Sequence, residues 1–396
     1  MGTPKETHLQ SYLKHWKDPS RVTEEFGINV YEHPTLPLLG FKYSQLDSPK
    51  LHPIVRSARG TVLEKSSYSL VAQPFFRFYN FGECIQEMDV FNWNDFTAYS
   101  KEDGSLQILY YYNNEWHVNT SGSFGLGEIA SGAGKTWREV FFETLRKSYV
   151  GEEKTIGRIG ERSDYSWFEY NIAPKLNKKY SYIWELCTGY NKIVRSYPEH
   201  KTFLLGVFNI ENDPYEFDSN YVDYLAEQIG VLRPIKYHFT SFKQIEEFME
   251  GQERLDPTYE GIVIKDNQNI RFKIKSKTYL GLAHIKDNGN IFNPKRIIPW
   301  VISNNQDELI TYFPELKDKV KEVKDLVDHE YNNLVKVWQD TNKISDQKAF
   351  ALSIKDKTKF SGLLFTLRKE YGQNQTKQDL NSAWRNSADA IVKYLF

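Results

Sequence analysis

Up to about residue 290, short apolar runs alternate with polar turns, a texture that predicts strands rather than long helices. Thr61-Val62-Leu63 and Ser69-Leu70-Val71-Ala72 are two such runs. Leu106, Ile108 and Tyr110 alternate with Gln107, Leu109 and Tyr111. After Asn113-Asn114 the alternation resumes at Trp116 and Val118, which predicts a hairpin. Trp137, Val140, Phe141, Leu145 and Tyr149 recur at spacings of three and four and predict a helix over 136–149. Further strands are expected over 182–186, 203–210, 261–265 and 271–275, with a helix over 219–229. Residues 1–50, with prolines at 34, 37 and 49, read as mixed and turn-rich.

Past residue 295 the period changes. Leu316, Val320, Val323, Val327, Tyr331, Leu334 and Trp338 step by three or four and predict one long amphipathic helix. Residues 350–371 and 383–396 also read as helical, with Gly372 as a stop signal. The fold class expected is therefore α+β: a domain over 1–290 with antiparallel sheets, followed by an all-helical domain over 291–396.

Composition narrows the function classes. The 396 residues carry 51 Lys+Arg against 52 Asp+Glu, which excludes a wholly basic protein but not a basic cleft on a neutral body. Residues 271–296 hold seven Lys/Arg and one acid, and are expected to line a phosphate-tracking groove. Tyr, Phe and Trp make up 15% of the chain, enough for large cores, base-stacking surfaces or both. Cys84 and Cys187 are too few for a disulfide framework, and no Cys-x-x-Cys pair is present. No apolar run approaches the ~18 residues of a membrane span, and the start lacks the apolar core of a signal peptide. A reduced, cytoplasmic protein is expected.

Two segments compete as phosphate-binding motifs. Gly132-Ala133-Gly134-Lys135-Thr136 resembles a P-loop, but residue 129 is Ile where the pattern needs Gly, and no buried strand precedes it. A glycine-rich turn leading into the following helix fits better. Lys101-Glu102-Asp103-Gly104 would, taken alone, be an ordinary turn. Its company changes its weight: Arg59-Gly60 stands upstream, and Glu185-Leu186, Glu260-Gly261-Ile262-Val263 and Phe272-Lys273-Ile274-Lys275 follow in order.

Chemistry gives those residue types a purpose. A neutral lysine amine can attack the α-phosphate of ATP and hold AMP as a phosphoramidate. Neighbouring cations such as Lys273 and Lys275 favour the neutral amine and neutralise charge on the pentavalent phosphorus. Glu185 and Glu260 suit ribose hydroxyls or a hydrated magnesium ion. Arg59 and Arg77 suit bidentate phosphate contacts.

Taken together, these stretches resemble the covalent nucleotidyltransferases, and among them the bacteriophage RNA ligase 1 family of ATP-dependent tRNA-repair ligases. Pro74 to Asn80 and Asn191-Lys192-Ile193-Val194 add to the likeness, which runs from about residue 40 to the C-terminus. The resemblance implies that Lys101 becomes adenylylated, that Tyr43 and Arg59 contact ATP, and that Glu185 holds the ribose. It places Lys273 and Lys275 at the phosphates and Arg77 where the family has Lys. Ser121 stands where the best-known member has lysine, and Asp307 aligns with a metal-binding aspartate. ATP and Mg2+, or Mn2+ in its place, would be the cofactors. RNA would be the substrate, as a tRNA broken in its anticodon loop or other single-stranded ends, with end-healing by a separate enzyme. Other readings are a non-catalytic RNA-binding protein on a ligase-derived fold, a DNA ligase, or a P-loop ATPase. Joint retention of Lys101, Glu185, Glu260, Lys273 and Lys275 argues against the first. DNA ligases usually continue into a β-barrel, where this chain turns helical.

Overall fold

The computed structural model describes residues 6–44, 47–127, 129, 134–152, 163–191, 195, 197–211, 213–256, 258–276, 279, 292–302, 306, 309–310, 316–372 and 375–395. The chain divides into two units, Met1–Ala283 and His284–Phe396.

Helices α1 (His8–Trp16) and α2 (Ser20–Phe26) open the first unit, ahead of β1 (Ile28–Glu32) and β2 (Leu38–Tyr43). This corrects the turn-rich reading of residues 1–50. The signal was there: Thr7 caps α1 in a reciprocal box with Gln10, and Leu9 and Leu13 are fully buried. Prolines 34 and 37 mark only the connection between the first two strands. Next come α3 (Pro53–Ser57), β3 (Arg59–Glu64) and β4 (Leu70–Ala72), completing an antiparallel sheet in the order β1-β2-β3-β4.

The chain then passes through β5 (Tyr79–Asn80), α4 (Ile85–Val90) and β6 (Phe96–Ser100) into the hairpin β7 (Ser105–Tyr112) and β8 (Glu115–Thr120). Asn113 and Asn114 both take left-handed backbone at its tip, which asparagine tolerates better than most residues. Helices α5 (Trp137–Lys147) and α6 (Asp164–Asn171) lead to β9 (Tyr180–Cys187), β10 (Lys201–Asn209) and β11 (Tyr215–Glu216). After α7 (Ser219–Ile229) come β12 (Lys236–Tyr237), α8 (Phe242–Leu255), β13 (Gly261–Asp266) and β14 (Arg271–Lys275). Helix α8 is an element the sequence reading missed, although Phe242, Ile245 and Met249 have helical spacing.

Two five-stranded sheets result, ordered β12-β6-β13-β14-β5 and β11-β10-β9-β7-β8, antiparallel except for the short β14–β5 pair. In strand β7, Gln107, Ile108, Leu109 and Tyr110 are buried in succession. The reason is a sheet covered on both faces. Ile108 and Tyr110 pack with Val62, Val71 and Phe124, whereas Leu109 joins Phe141, Phe168 and Trp184 on the helical side. Burial of the two aromatic-rich clusters supplies the main driving force for this unit.

In the second unit, the described residues form helices and no strand: Pro294–Ile302, Lys317–Thr341, Gln347–Ile354, Ser361–Tyr371, Lys377–Arg385 and Ala388–Leu395. The stripe Leu316, Val320, Val323, Val327, Leu334 and Trp338 is buried, as an amphipathic helix requires. Trp384 packs against both Tyr331 and Phe360, and the Trp338 indole N–H donates to Gln375 Oε1 at 3.0 Å. The stretch 350–371 is two helices rather than one, broken at the polar run Lys355-Asp356-Lys357, where Asp356 turns left-handed. Among the described residues no helix is long and apolar enough to cross a membrane.

Candidate active site

Strand β6 belongs to one five-stranded sheet and β7 to the other, so residues 101–104 step between them. Gly104 has no room for a side chain. A Cβ there would stand 2.5 Å from the Leu186 carbonyl oxygen and 2.8 Å from Cys187 Sγ. The Lys101 N–H donates to the Gly261 carbonyl at 2.8 Å, fixing the start of the loop on β13.

The Lys101 ammonium meets Glu260 Oε1 at 2.7 Å, and the same oxygen is 3.0 Å from Lys275 Nζ. Glu260 is only 3% exposed and the Lys275 side chain 1%, while Lys101 keeps 20%. One carboxylate therefore clasps two amines, one from the loop after β6 and one from β14. Its other oxygen, Oε2, is buried without a hydrogen-bond partner. Register explains the meeting: Gly261 lies opposite Lys275, and the Ser276 N–H donates to the Glu260 carbonyl at 2.9 Å.

Glu185 lies on β9 opposite Leu106, two residues past Gly104. Burial pushes its carboxyl up to about 8; Lys101 and Arg59 pull it back, and Glu260 raises it further. The side chain is half-buried, so water reaching it moderates the associated free energy.

Arg59, Arg271 and Lys273 converge on one aromatic ring, lying 4.9, 5.6 and 5.1 Å from the centroid of Phe78. Burial lowers the Arg59 guanidinium, offset by Tyr43 and Glu185, and its Nη1 is buried without a hydrogen-bond partner. Arg271 also pairs with Glu216, which holds Lys265 at 2.8 Å. Arg77 was expected to make a bidentate phosphate contact. Here it donates to Glu83 Oε1 at 2.9 Å and lies over the rings of Tyr43 and Tyr79. Its Nε and Nη1 are buried and without hydrogen-bond partners.

The structure thus brings Lys101, Glu260 and Lys275 into contact, Glu185 within their field, and Arg59 and Lys273 around Phe78. Asp307 and residues 192–194 lie outside the described residues, as do 280–291 of the basic stretch. Ser121 packs under Gly60, whose Cβ would stand 2.9 Å from its Cα. A Cβ on Gly122 would be 3.2 Å from Lys42 Nζ, so an amine is present beside Ser121, contributed by β2. Sequence reasoning missed Lys42 and Phe78 because each meets its partners across segments distant in the chain.

The described residues favour the glycine-rich turn leading into a helix over the P-loop. Thr136 caps α5 in a reciprocal box with Glu139, and Lys135 is held by Glu143 at 2.6 Å. Residues 130–133 lie outside the described residues.

The raised Glu185 carboxyl has a measurable consequence. Its neutral form is favoured in the folded state, so its contribution is fully present below about 4.5 and is lost as pH rises through about 8. Glu185→Gln, uncharged throughout, should lose nothing over that window. The stability gap between variant and wild type should widen between pH 5 and 9 by ~1–3 kcal/mol, discounted for solvent access. Urea melts at three pH values read it directly; a constant gap would mean a carboxylate ionised at every pH.

Antiparallel sheets meet at the Lys-x-Asp-Gly loop, the arrangement that the resemblance to nucleotidyltransferases of the ligase type implies. The sequence profile of the phage T4-type RNA ligase family matches residues 57–280, more than half of the chain, and the protein belongs to that family. It is 28% identical over 313 residues to a protein named as a bifunctional polynucleotide kinase/RNA ligase of Autographa californica nuclear polyhedrosis virus. That alignment covers 76% of this chain and 41% of the viral protein, so the chain spans well under half of that relative. An RNA ligase of Rhodothermus phage RM378 is 23% identical over 333 residues, 70% of each chain. Among solved structures, an archaeal ATP-dependent RNA ligase superposes with a TM-score of 0.44 at 13% identity, covering 80% of this chain and 79% of that one.

Proposed function

We propose that this protein is an ATP-dependent RNA ligase that joins a 5′-phosphate to a 3′-hydroxyl through a lysyl-AMP intermediate. The observation that carries the reading is the clasp of Lys101 and Lys275 by the buried Glu260 carboxylate, at the glycine-tight loop joining two sheets. Lys101 Nζ attacks the α-phosphorus of ATP, forming the N–P bond as the bond to pyrophosphate breaks. AMP then passes to the RNA 5′-phosphate. Finally the 3′-hydroxyl oxygen attacks that phosphorus and AMP leaves. Lys273, Lys275 and Arg59 stabilise the charge on the phosphates, Glu185 holds the ribose, and Tyr43 and Arg77 complete the nucleotide site.

The donor set fits Mg2+ or Mn2+. The orphaned Glu260 Oε2 is a hard oxygen donor. Among the described residues no cluster of three His, Cys, Asp or Glu is present, so phosphate oxygens and water would supply the other ligands, as is usual for Mg2+. When bound, the metal neutralises phosphate charge; Glu260, and Asp307 by resemblance, would hold it.

The mass of the protein after incubation with ATP tests the reading. A gain of one AMP on the peptide containing Lys101 is expected, and sustained ATP hydrolysis without it would favour an ATPase.

We further place the activity in cytoplasmic repair of tRNA broken in the anticodon loop, with ends healed by a separate enzyme. The all-helical unit supports this as a substrate-reading module. Removing residues 284–396 should then leave labelling of Lys101 largely intact, with a modest loss if Asp307 binds metal. Preference for a broken tRNA over an unstructured RNA of equal length should disappear. An unchanged ratio of the two sealing rates would reassign that unit to stability or partner binding.

A further inference from the structure

The loop that carries Lys101 is held by a side chain remote in sequence. Tyr197, in the connection between β9 and β10, is buried against it. Its hydroxyl accepts the Asp103 N–H at 2.9 Å and donates to Glu102 Oε2 at 3.1 Å. One phenol oxygen therefore grips both residues that follow Lys101. Glu102 uses its other oxygen to accept from Ser100 Oγ at 2.6 Å, and Ser100 immediately precedes Lys101. That serine oxygen also accepts the Ile235 N–H at 3.0 Å. The chain Tyr197–Glu102–Ser100 thus braces the loop on both sides of the lysine.

The Asp103 carboxylate adds two anchors, accepting from the Arg195 N–H at 2.7 Å and from Tyr279 Oη at 3.0 Å. Glu102 and Asp103 are both buried, so neither exchanges these bonds for water. Burial also pushes the Tyr197 phenol above its ordinary range, which keeps the donating proton in place.

We infer that Tyr197 is a positioning residue for the nucleophile: through Glu102 and Asp103 it fixes the loop from which the Lys101 amine reaches the α-phosphorus. The inference rests on the ligase reading above, in which Lys101 carries AMP. It follows from the order of bonds along the chain. Lys101 is itself tied by its N–H to Gly261 and by its amine to Glu260, both at the β13 side. Without Tyr197, the loop loses an acceptor for the buried Asp103 N–H and a donor to the buried Glu102 carboxylate together. The steps that use Lys101 as a nucleophile or AMP carrier depend on this alignment. Sealing of RNA that already carries AMP does not.

The test is Tyr197→Phe, which keeps the ring and removes only the hydroxyl. Three quantities are compared with wild type: single-turnover labelling by α-labelled ATP, KM for ATP, and sealing of pre-adenylylated RNA. Labelling at saturating ATP should slow by roughly 10²-fold, the scale of a misplaced reacting group. KM for ATP and the rate on pre-adenylylated RNA should each stay within about threefold, a split that a general loss of structure does not give. Equal labelling rates in variant and wild type overturn the inference, as does an equal loss in both reactions. A wild-type protein that takes no label overturns the ligase reading and the inference with it. Should Tyr197→Phe fail to fold, Glu102→Gln removes the acceptor charge while leaving the phenol, and must show the same split.

Discussion

Lys101→Ala should take no label from α-labelled ATP and should seal no ordinary RNA, a loss of at least ~10⁴-fold for a covalent nucleophile. Among the described residues no other amine occupies its place. Lys275 is shut against Glu260 with its side chain 1% exposed, and Lys273 is on β14 beside Phe78. Pre-adenylylated RNA bypasses the missing step, so Lys101→Ala should keep part of its activity on that substrate. Label on Lys101→Ala protein, or equal loss on both substrates, would contradict the assignment.

The second large effect belongs to Glu260. Its Oε1 holds two ammonium groups at 2.7 and 3.0 Å, in a place nearly closed to water. Glu260→Gln keeps the shape and removes a buried carboxylate that balances the Lys275 amine. Breaking a buried pair in this way costs about 3 kcal/mol or more, because the remaining buried charge loses its paired carboxylate. Labelling of Lys101 should fall by about 10²-fold or more, since the clasp that places its amine is gone. Stability and chemistry can be separated by a second change. Glu260→Gln combined with Lys275→Met should regain much of the urea midpoint, because the buried cation is removed, and none of the labelling. If the double variant recovers neither, Glu260 contributes through something other than charge balance.

How much of this was legible in the sequence depended on the range of the contacts. The β7–β8 hairpin was readable because its signal is local: alternation on each side of two asparagines that accept left-handed backbone. The long helix over Lys317–Thr341 was readable because its apolar stripe repeats without interruption. The first N-terminal helix was readable too, from the Thr7–Gln10 box, but nearby prolines point toward turns. The burial of β7 on both faces was not readable. It depends on Val62, Val71 and Phe124 covering one side and α5 and α6 the other. The charged residues of the site were each visible by type, and the family's ordered motifs gave them their places. Their pairing was not visible. Nothing in the sequence says that Lys101 and Lys275 share one oxygen, that Arg77 turns to Glu83, or that Tyr197 reaches back 94 positions to the Asp103 amide.

Both cysteines are buried, and their burial bears on how the molecule can be studied. Cys187 sits against Gly104, and burial holds its thiol far above the ordinary range, so it offers no thiolate to an alkylating reagent. Cys84 is equally enclosed. For thiol-directed dyes and spin labels the folded chain is therefore close to a blank background. A cysteine introduced at an exposed helical position, as Tyr224→Cys on α7, would be the fast-reacting group, and a probe could be attached there without disturbing the native thiols.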